Sequence, residues 1–178
     1  MGRALGKVLA MLALAGLIGL LPTTAASAFV AADESVFISE IHYDNAGGDV
    51  GEAVEIFGQT CTDLSGWTIE LYNGSSSQLN VYGTVSLSGV IPDLGGGLGV
   101  VAVERPGIQN GAPDGLALVD DAGGVRQFFS YEGTFVPVSG AAAGLTPTEL
   151  PVSEGGSTPI GDSMQLQGSG SNYSDFTW

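Results

Sequence analysis

Hydrophobic and polar residues alternate with a period of two along much of this chain. The clearest stretch begins after Gly66, where Trp67, Ile69 and Leu71 alternate with Thr68, Glu70 and Tyr72. A period of two is typical of a β-strand with one buried face and one face in contact with water. Runs of this kind predict eight strands, over residues 36–43, 53–57, 67–72, 81–87, 98–103, 116–119, 125–131 and 164–166.

Turn-forming residues separate nearly all of these runs. Asp63 and Ser65 are side chains that bond nearby backbone, and Gly66 is free to adopt a positive φ, so a sharp turn is predicted just before Trp67 enters the core. Short strands without an amphipathic helical pattern between them predict an all-β sandwich or barrel. The continuous apolar run 98–103 predicts a central strand covered on both faces. Residues 137–158 have little periodicity and predict a long surface loop.

The first 28 residues have the pattern of a secretory signal peptide. Arg3 and Lys7 precede an apolar run over residues 8–21, and Ala26-Ser27-Ala28 provides a small-x-small cleavage site. We therefore predict a signal peptide over residues 1–28, a short linker over 29–35 and one β-domain over 36–178. The protein is expected to be secreted, with no stable membrane span after cleavage.

The remaining chain is strongly acidic. All 19 carboxylate side chains are retained after cleavage, whereas Arg105 and Arg126 are the only Lys or Arg residues left, so the formal charge is −17. Proteins gain affinity for DNA by neutralising phosphates with Lys and Arg. The composition therefore argues against direct nucleic-acid binding unless a divalent cation bridges the two, and the charge by itself favours solubility outside the cell.

The inventory of reactive side chains is small. Cys61 is the only cysteine, so no intramolecular disulfide forms, and no nearby cation activates its thiol; a sheltered, inert thiol is expected. His42 is the only histidine, and alternation groups it with Ile38 and Glu40 in a partly exposed position at a strand end. Glu52 and Glu55 are three apart on a strand and point to opposite faces, so they do not form a catalytic pair.

Residues 44–52 contain the one candidate metal site. Asp44, Asn45, Asp49 and Glu52 supply carboxylate and amide oxygens around three glycines, and oxygens of this kind bind Ca²⁺. The spacing does not match an EF-hand, and a plain turn of Asx and Gly residues is the alternative. Five aromatic residues are candidates for ligand contact if exposed, namely Tyr72, Tyr82, Tyr131, Tyr173 and Trp178.

Several segments, taken in order, resemble the lamin tail domain family. Residues 36–41 are similar to its opening strand, 52–56 to its acidic strand motif, 63–67 to its short Asp-Leu-Ser-Gly-Trp signature, and 114–120 with 124–131 to its late strand pair. The resemblance implies an immunoglobulin-like β-sandwich without catalytic residues. It assigns structural roles to Glu55, Asp63, Gly66, Trp67, Asp114 and Gly115, with Glu55 in solvent or at the base of a loop.

The resemblance, together with the sparse reactive inventory, predicts a secreted, non-catalytic module that binds or scaffolds a protein or cell-surface component. The acidic residues 44–52 and the region 102–110 are the expected contact surfaces. Bacterial relatives of this type occur with extracellular endonuclease/exonuclease/phosphatase-type nucleases, so an accessory domain of such a nuclease is one alternative. A surface-assembly or adhesion protein that pairs through an edge strand is the other.

Overall fold

The computed structural model describes residues 35–178, which form eleven strands and one turn of 3-10 helix at Tyr173–Asp175. The predicted signal peptide and all of the predicted linker except Ser35 lie outside this range. None of the described residues forms a helix long and apolar enough to cross a membrane. The strands are β1 (Val36–His42), β2 (Ala53–Gln59), β3 (Thr68–Asn73), β4 (Asn80–Ser86), β5 (Leu98–Glu104), β6 (Asp114–Val119), β7 (Val125–Tyr131), β8 (Thr148–Glu149), β9 (Met164–Gln165), β10 (Gln167–Gly168) and β11 (Phe176–Thr177).

Nine of the eleven strands form two facing sheets, and β10 pairs with β11 in a separate two-stranded sheet, so the predicted all-β sandwich is confirmed. The front sheet has the order β5-β2-β1-β9, and the back sheet has the order β4-β3-β6-β7-β8. Pairing is antiparallel throughout except between β7 and β8. Ile38 and Ile56 of the front sheet belong to one fully buried cluster with Leu71 and Leu116 of the back sheet. This cluster also includes Trp67, as the sequence predicted.

A bulge at Ser39 decides which side chains of β1 face the core. Ile38 pairs with Ile56, but Glu40 pairs with the adjacent Glu55, so Ser39 is the extra residue. The bulge shifts the alternation by one position, which places Ile41 inside and Glu40 outside. The predicted grouping of Ile38 with Glu40 and His42 on one face is therefore wrong.

The turn before Trp67 has the predicted construction. The side chain of Asp63 accepts a hydrogen bond from the Ser65 N–H at 2.9 Å, and Gly66 has φ +86°. The carbonyl of Leu64 then accepts a bond from the Trp67 N–H at 3.0 Å. The structural roles expected for Asp63, Gly66 and Trp67 thus have a direct geometric basis.

Asp114 and Gly115 also have structural roles. The two oxygens of Asp114 accept hydrogen bonds from the N–H groups of Gly74 and Gly111, both at 3.0 Å, and so connect two loops. Gly115 lies so close to β7 that a Cβ there would be 2.3 Å from the carbonyl oxygen of Phe129. Only glycine fits this crowded position.

Strand β5 is an edge strand, so its predicted central position is wrong. It pairs with β2 alone, and Ala102 and Glu104 are exposed. Val101 and Val103 on the inner face pack against the core. The apolar run arises because small and β-branched residues occupy both faces, not because a second neighbouring strand covers them.

A second hydrophobic cluster covers the outer face of the back sheet. It contains Tyr72, Ala117, Val119, Phe128, Phe135 and Ala142. Residues 132–147, which connect β7 to β8, supply the last two of these. The irregular segment predicted as a surface loop therefore has buried residues that cover the back sheet. Tyr72 and Tyr131 are fully buried, so they are not available to a ligand.

The outer face of the front sheet is covered at one end only. Phe37 stacks on Phe57 with ring centroids 4.7 Å apart, and Phe176 of β11 lies over both at 5.6 and 5.7 Å. Tyr173 contacts Phe37 edge-on. The cover ends there, so the opposite end of this sheet face, where β1 ends and β2 begins, is left open.

Candidate functional site

The uncovered end of the front sheet forms a groove of about 330 Å³ on its outer face. Its floor crosses three strands and its walls come from residues 50–51 and 160–163. The lining residues are Glu40 and His42 of β1, Ala53 and Glu55 of β2, Ala102 of β5, and Val50, Gly51, Ile160, Gly161, Asp162 and Ser163 of the walls. Val50 is 52% exposed and Ile160 is 68% exposed, so apolar side chains rim an acidic floor.

Two carboxylates face each other at the centre of the groove. Glu40 and Glu55 are directly opposed across β1 and β2. Opposed residues of an antiparallel pair have Cβ atoms about 4.5–5.5 Å apart, and like charges at this separation destabilise the pair. Serine hydroxyls hold one oxygen of each, because Ser163 donates to Glu40 at 2.5 Å and Ser39 donates to Glu55 at 2.7 Å. Each carboxylate retains its second oxygen for a ligand.

No basic side chain neutralises this pair within the part of the chain that the structure describes. Arg126 pairs with Asp120 at 2.8 Å and lies over the ring of Trp67. Arg105 donates to the carbonyl of Pro106. The groove is thus an anionic surface with apolar rims, and a cation would relieve the repulsion between its carboxylates.

His42 lines the groove but is buried and fully engaged. Its Nδ1 lies 2.8 Å from Glu154 Oε1, and its Nε2 lies 3.0 Å from Asn45 Nδ2 and 3.1 Å from the carbonyl oxygen of Val50. Neutral His42 accepts from Asn45, whereas the protonated ring donates to Val50. The expected partly exposed position is therefore wrong, since His42 is 7% exposed. No serine hydroxyl is among its partners.

Glu154 anchors residues 150–158 to the end of β1. Its Oε2 accepts hydrogen bonds from the N–H groups of Tyr43 at 2.6 Å and Asp44 at 3.0 Å, in addition to the contact with His42. Burial lowers the pKa of His42, but the Glu154 carboxylate, the Val50 carbonyl and the charge of Glu52 outweigh it and raise the pKa above its usual value. Residues 150–158 are therefore fixed to the end of β1 by a buried contact between Glu154 and His42.

The structure brings together only two of the four predicted calcium ligands. Asp44 and Asp49 are neighbours, and burial together with the Asp49 carboxylate raises the pKa of Asp44. Asn45 instead bonds His42 and Val50, and Glu52 accepts from the Gly107 N–H at 2.7 Å. Within residues 35–178, no three His, Cys, Asp or Glu side chains are grouped to hold a metal ion. A calcium site would therefore need amide or carbonyl oxygens around the Asp44 and Asp49 pair.

Calcium binding by this pair stays a prediction. If it occurs, 10 mM CaCl₂ raises the melting temperature by mass action on the folded state, and Asp49→Asn abolishes the rise. Asp93→Asn, in an exposed turn elsewhere, leaves it intact. Equal melting temperatures of the wild type in calcium and in EDTA would show that residues 44–52 form a plain turn.

Other predicted residues are placed differently from expectation. Glu55 lies in the middle of β2, opposite Glu40, on the partly exposed outer face, so of its two expected positions the solvent-facing one applies and the base of a loop does not. Cys61 is exposed and not sheltered. Glu40, His42 and Glu55 share one groove on this face, which the sequence analysis did not predict. The apolar spacing Ile38, Ile41, Tyr43 in the sequence is the signal of the bulge that brings them together.

Fold and groove together define an all-β, two-sheet protein with an acidic surface groove. Comparison of the chain with protein-family models, with curated proteins and with solved structures gives no match.

Proposed function

We propose that this protein is a secreted, non-catalytic binding module that takes a cationic group of a protein or cell-surface component into the groove of the front sheet. The observation that carries the proposal is the opposed pair of Glu40 and Glu55 between apolar rims, without a Lys or Arg partner among the described residues. Such a pair is costly for the free protein, and a ligand cation removes the cost.

The shape of the groove favours an aliphatic cation over a metal ion. Ala53 and Ala102 leave room above the floor, and Val50 and Ile160 offer apolar rims to a hydrocarbon stem. A lysine side chain has this chemistry, because a compact ammonium ends a flexible four-carbon stem. The groove therefore suits lysine-like groups on a partner.

The ordered motifs support a finer assignment, an immunoglobulin-like sandwich of lamin-tail type. Asp63, Gly66 and Trp67 form the turn that the shared signature contains, which supports the resemblance at its most specific point. Because related modules accompany extracellular nucleases, the second candidate function is an accessory domain that positions such an enzyme. The acidic groove makes a basic protein surface, rather than DNA, the expected contact in either case.

Binding of n-butylammonium, which mimics a lysine side chain, tests the proposed function. Titration followed by NMR is expected to shift the amide signals of Glu40, Glu55 and Ala102, whereas neutral 1-butanol does not. Glu55→Gln is expected to weaken binding by about fivefold, which corresponds to about 1 kcal/mol for an exposed charge contact.

Glu149→Gln is the matched control, since Glu149 is an exposed glutamate on the back sheet. Equal binding by the wild type and Glu55→Gln would place the cation elsewhere. Hydrolase turnover by the purified protein that Glu55→Gln abolishes would overturn the non-catalytic assignment.

A further inference from the structure

Strand β5 is the one long edge that this sandwich leaves unprotected among residues 35–178. Edge strands are usually blunted by shortness, bulges or cover. At the other three edges, β8 and β9 have only two residues each, and β4 has a bulge at Tyr82. The edge of β4 is also covered, because Val138 donates to the Leu79 carbonyl and Val81 donates to Ser139 Oγ.

The register of β5 shows which backbone groups are free. The Arg105 N–H donates to the Glu52 carbonyl and the Thr60 N–H donates to the Gly97 carbonyl, which marks hydrogen-bonded pairs at both ends of the β2 and β5 ladder. Such pairs alternate in an antiparallel ladder. Val101 and Val103 therefore bond to β2, and the backbone groups of Val100, Ala102 and Glu104 point away from the sheet.

The same outward residues continue the rows of side chains in the groove. Each row crosses β5, β2 and β1 in turn. One row is Ala102, Glu55 and Glu40, and the next is Glu104, Ala53 and His42. Val100 is opposite Phe57 in the apolar, covered row. A strand added beside β5 would therefore lie next to three rows of side chains. The rows of Glu104 and Ala102 contain carboxylates, and the row of Val100 is apolar.

We propose that β5 and the groove together bind an extended segment of a partner protein, as an added strand with Lys or Arg at two alternate positions and an apolar residue at the third. The Lys or Arg side chain opposite Ala102 extends over this small residue to Glu55. The strand of Glu55 lies two strand spacings, or about 10 Å, from the added strand. The next cation pairs with Glu104. Main-chain hydrogen bonds between β5 and the added strand supply affinity, and the alternate side chains of the added strand that lie over the groove supply specificity.

The negative charge of the chain favours a basic partner segment at β5 over a second copy of the chain. Beyond the predicted signal peptide the chain has a formal charge of −17, and a copy would present another Glu104 to the same edge. A basic segment instead neutralises the carboxylates of the groove. The inference rests on the proposed function, because it uses the groove as the site of the cation.

The test uses two labelled heptapeptides, Ac-Thr-Lys-Thr-Lys-Thr-Val-Thr-NH₂ for antiparallel and Ac-Thr-Val-Thr-Lys-Thr-Lys-Thr-NH₂ for parallel addition, with fluorescence anisotropy as the readout. At least one is expected to bind, and its version with glutamate for lysine is not. In the antiparallel peptide, N-methylation at the Lys and Val positions removes the donors that face β5, so binding weakens at least tenfold. In the parallel peptide, the inner threonines carry the donors that face β5, and their N-methylation has this effect. N-methylation of the donors that point away, which belong to the two inner threonines of the antiparallel peptide and to the Lys and Val positions of the parallel one, changes binding by less than about twofold.

Val100→Pro is the matched protein variant, because it removes an outward donor of β5 without changing a residue that lines the groove, and proline is tolerated at such edge positions. It is expected to lose peptide binding at least tenfold and to retain n-butylammonium binding. Equal binding of both N-methylated peptides overturns strand addition but leaves the proposed function intact. Absence of both peptide and amine binding overturns both. If the protein sediments as a dimer and Val100→Pro dissociates it, the occupant of the β5 edge is a second copy of the chain, which overturns the proposal of a basic partner segment.

Discussion

Replacing Glu154 with alanine is expected to lower the free energy of unfolding by roughly 3–5 kcal/mol. The side chain is 5% exposed and accepts hydrogen bonds from the N–H groups of Tyr43 and Asp44 and from His42 Nδ1. Alanine leaves two main-chain donors and the histidine without a partner in the interior, and each unsatisfied buried donor costs about 1–3 kcal/mol. Urea denaturation measures the loss.

Glu149→Ala is the matched control, with an expected change within about 0.5 kcal/mol because this glutamate is exposed. The dependence on pH identifies the ionic part of the effect. The pKa of His42 is raised in the folded protein, so the contribution of its charge is complete below the unfolded value of about 6.5 and is lost as pH rises through the folded value. The stability gap between the wild type and Glu154→Gln should therefore be larger at pH 6 than at pH 8.5. A gap that widens with pH would contradict the charged pair.

Phe135→Ala is expected to lower the free energy of unfolding by about 3 kcal/mol, the lower end of the range for buried Phe→Ala changes. Phe135 is 7% exposed and meets Phe128 edge-on with ring centroids 5.8 Å apart. It also lies over Tyr72 at 6.5 Å. Truncation leaves a cavity between residues 132–147 and the outer face of the back sheet. Chemical denaturation followed by tryptophan fluorescence measures the change.

Val138→Ala controls for side-chain truncation in the same segment, because Val138 is 71% exposed and little stability should be lost. Equal, small effects of the two variants would mean that the segment does not pack on the sheet in solution. Increased exchange of the amides of Ala142 and Leu145 in Phe135→Ala, with β1 and β2 unchanged, would show that the segment detaches as a unit.

The strands could be predicted from sequence because their signal is local. The pattern of hydrophobic and polar residues located all seven strands of six or seven residues, and the residues of the turn at Asp63 and Gly66 determine its shape by themselves. Long-range placement has no such signal. The apolar run of β5 is compatible with a central strand and with an edge strand. Its pairing with β2 alone, which the sequence does not reveal, makes it an edge strand.

The groove was not predicted because it depends on one bulge and on contacts between residues far apart in sequence. Without the bulge at Ser39, Glu40 and His42 would face the core, and Glu55 would have no carboxylate opposite. Glu154 is 112 positions from His42, and nothing in its neighbourhood marks it as the anchor of β1. The spacing of apolar residues in β1 is the only local signal of this geometry.

Amide hydrogen exchange along β5, resolved by NMR, tests most directly whether the binding edge is open. Slow exchange is expected at Val101 and Val103, whose N–H groups bond to β2, and fast exchange at Val100, Ala102 and Glu104, whose N–H groups point away from it. Uniformly slow exchange along all seven residues would contradict an open edge, and with it the surface at which the partner is proposed to bind.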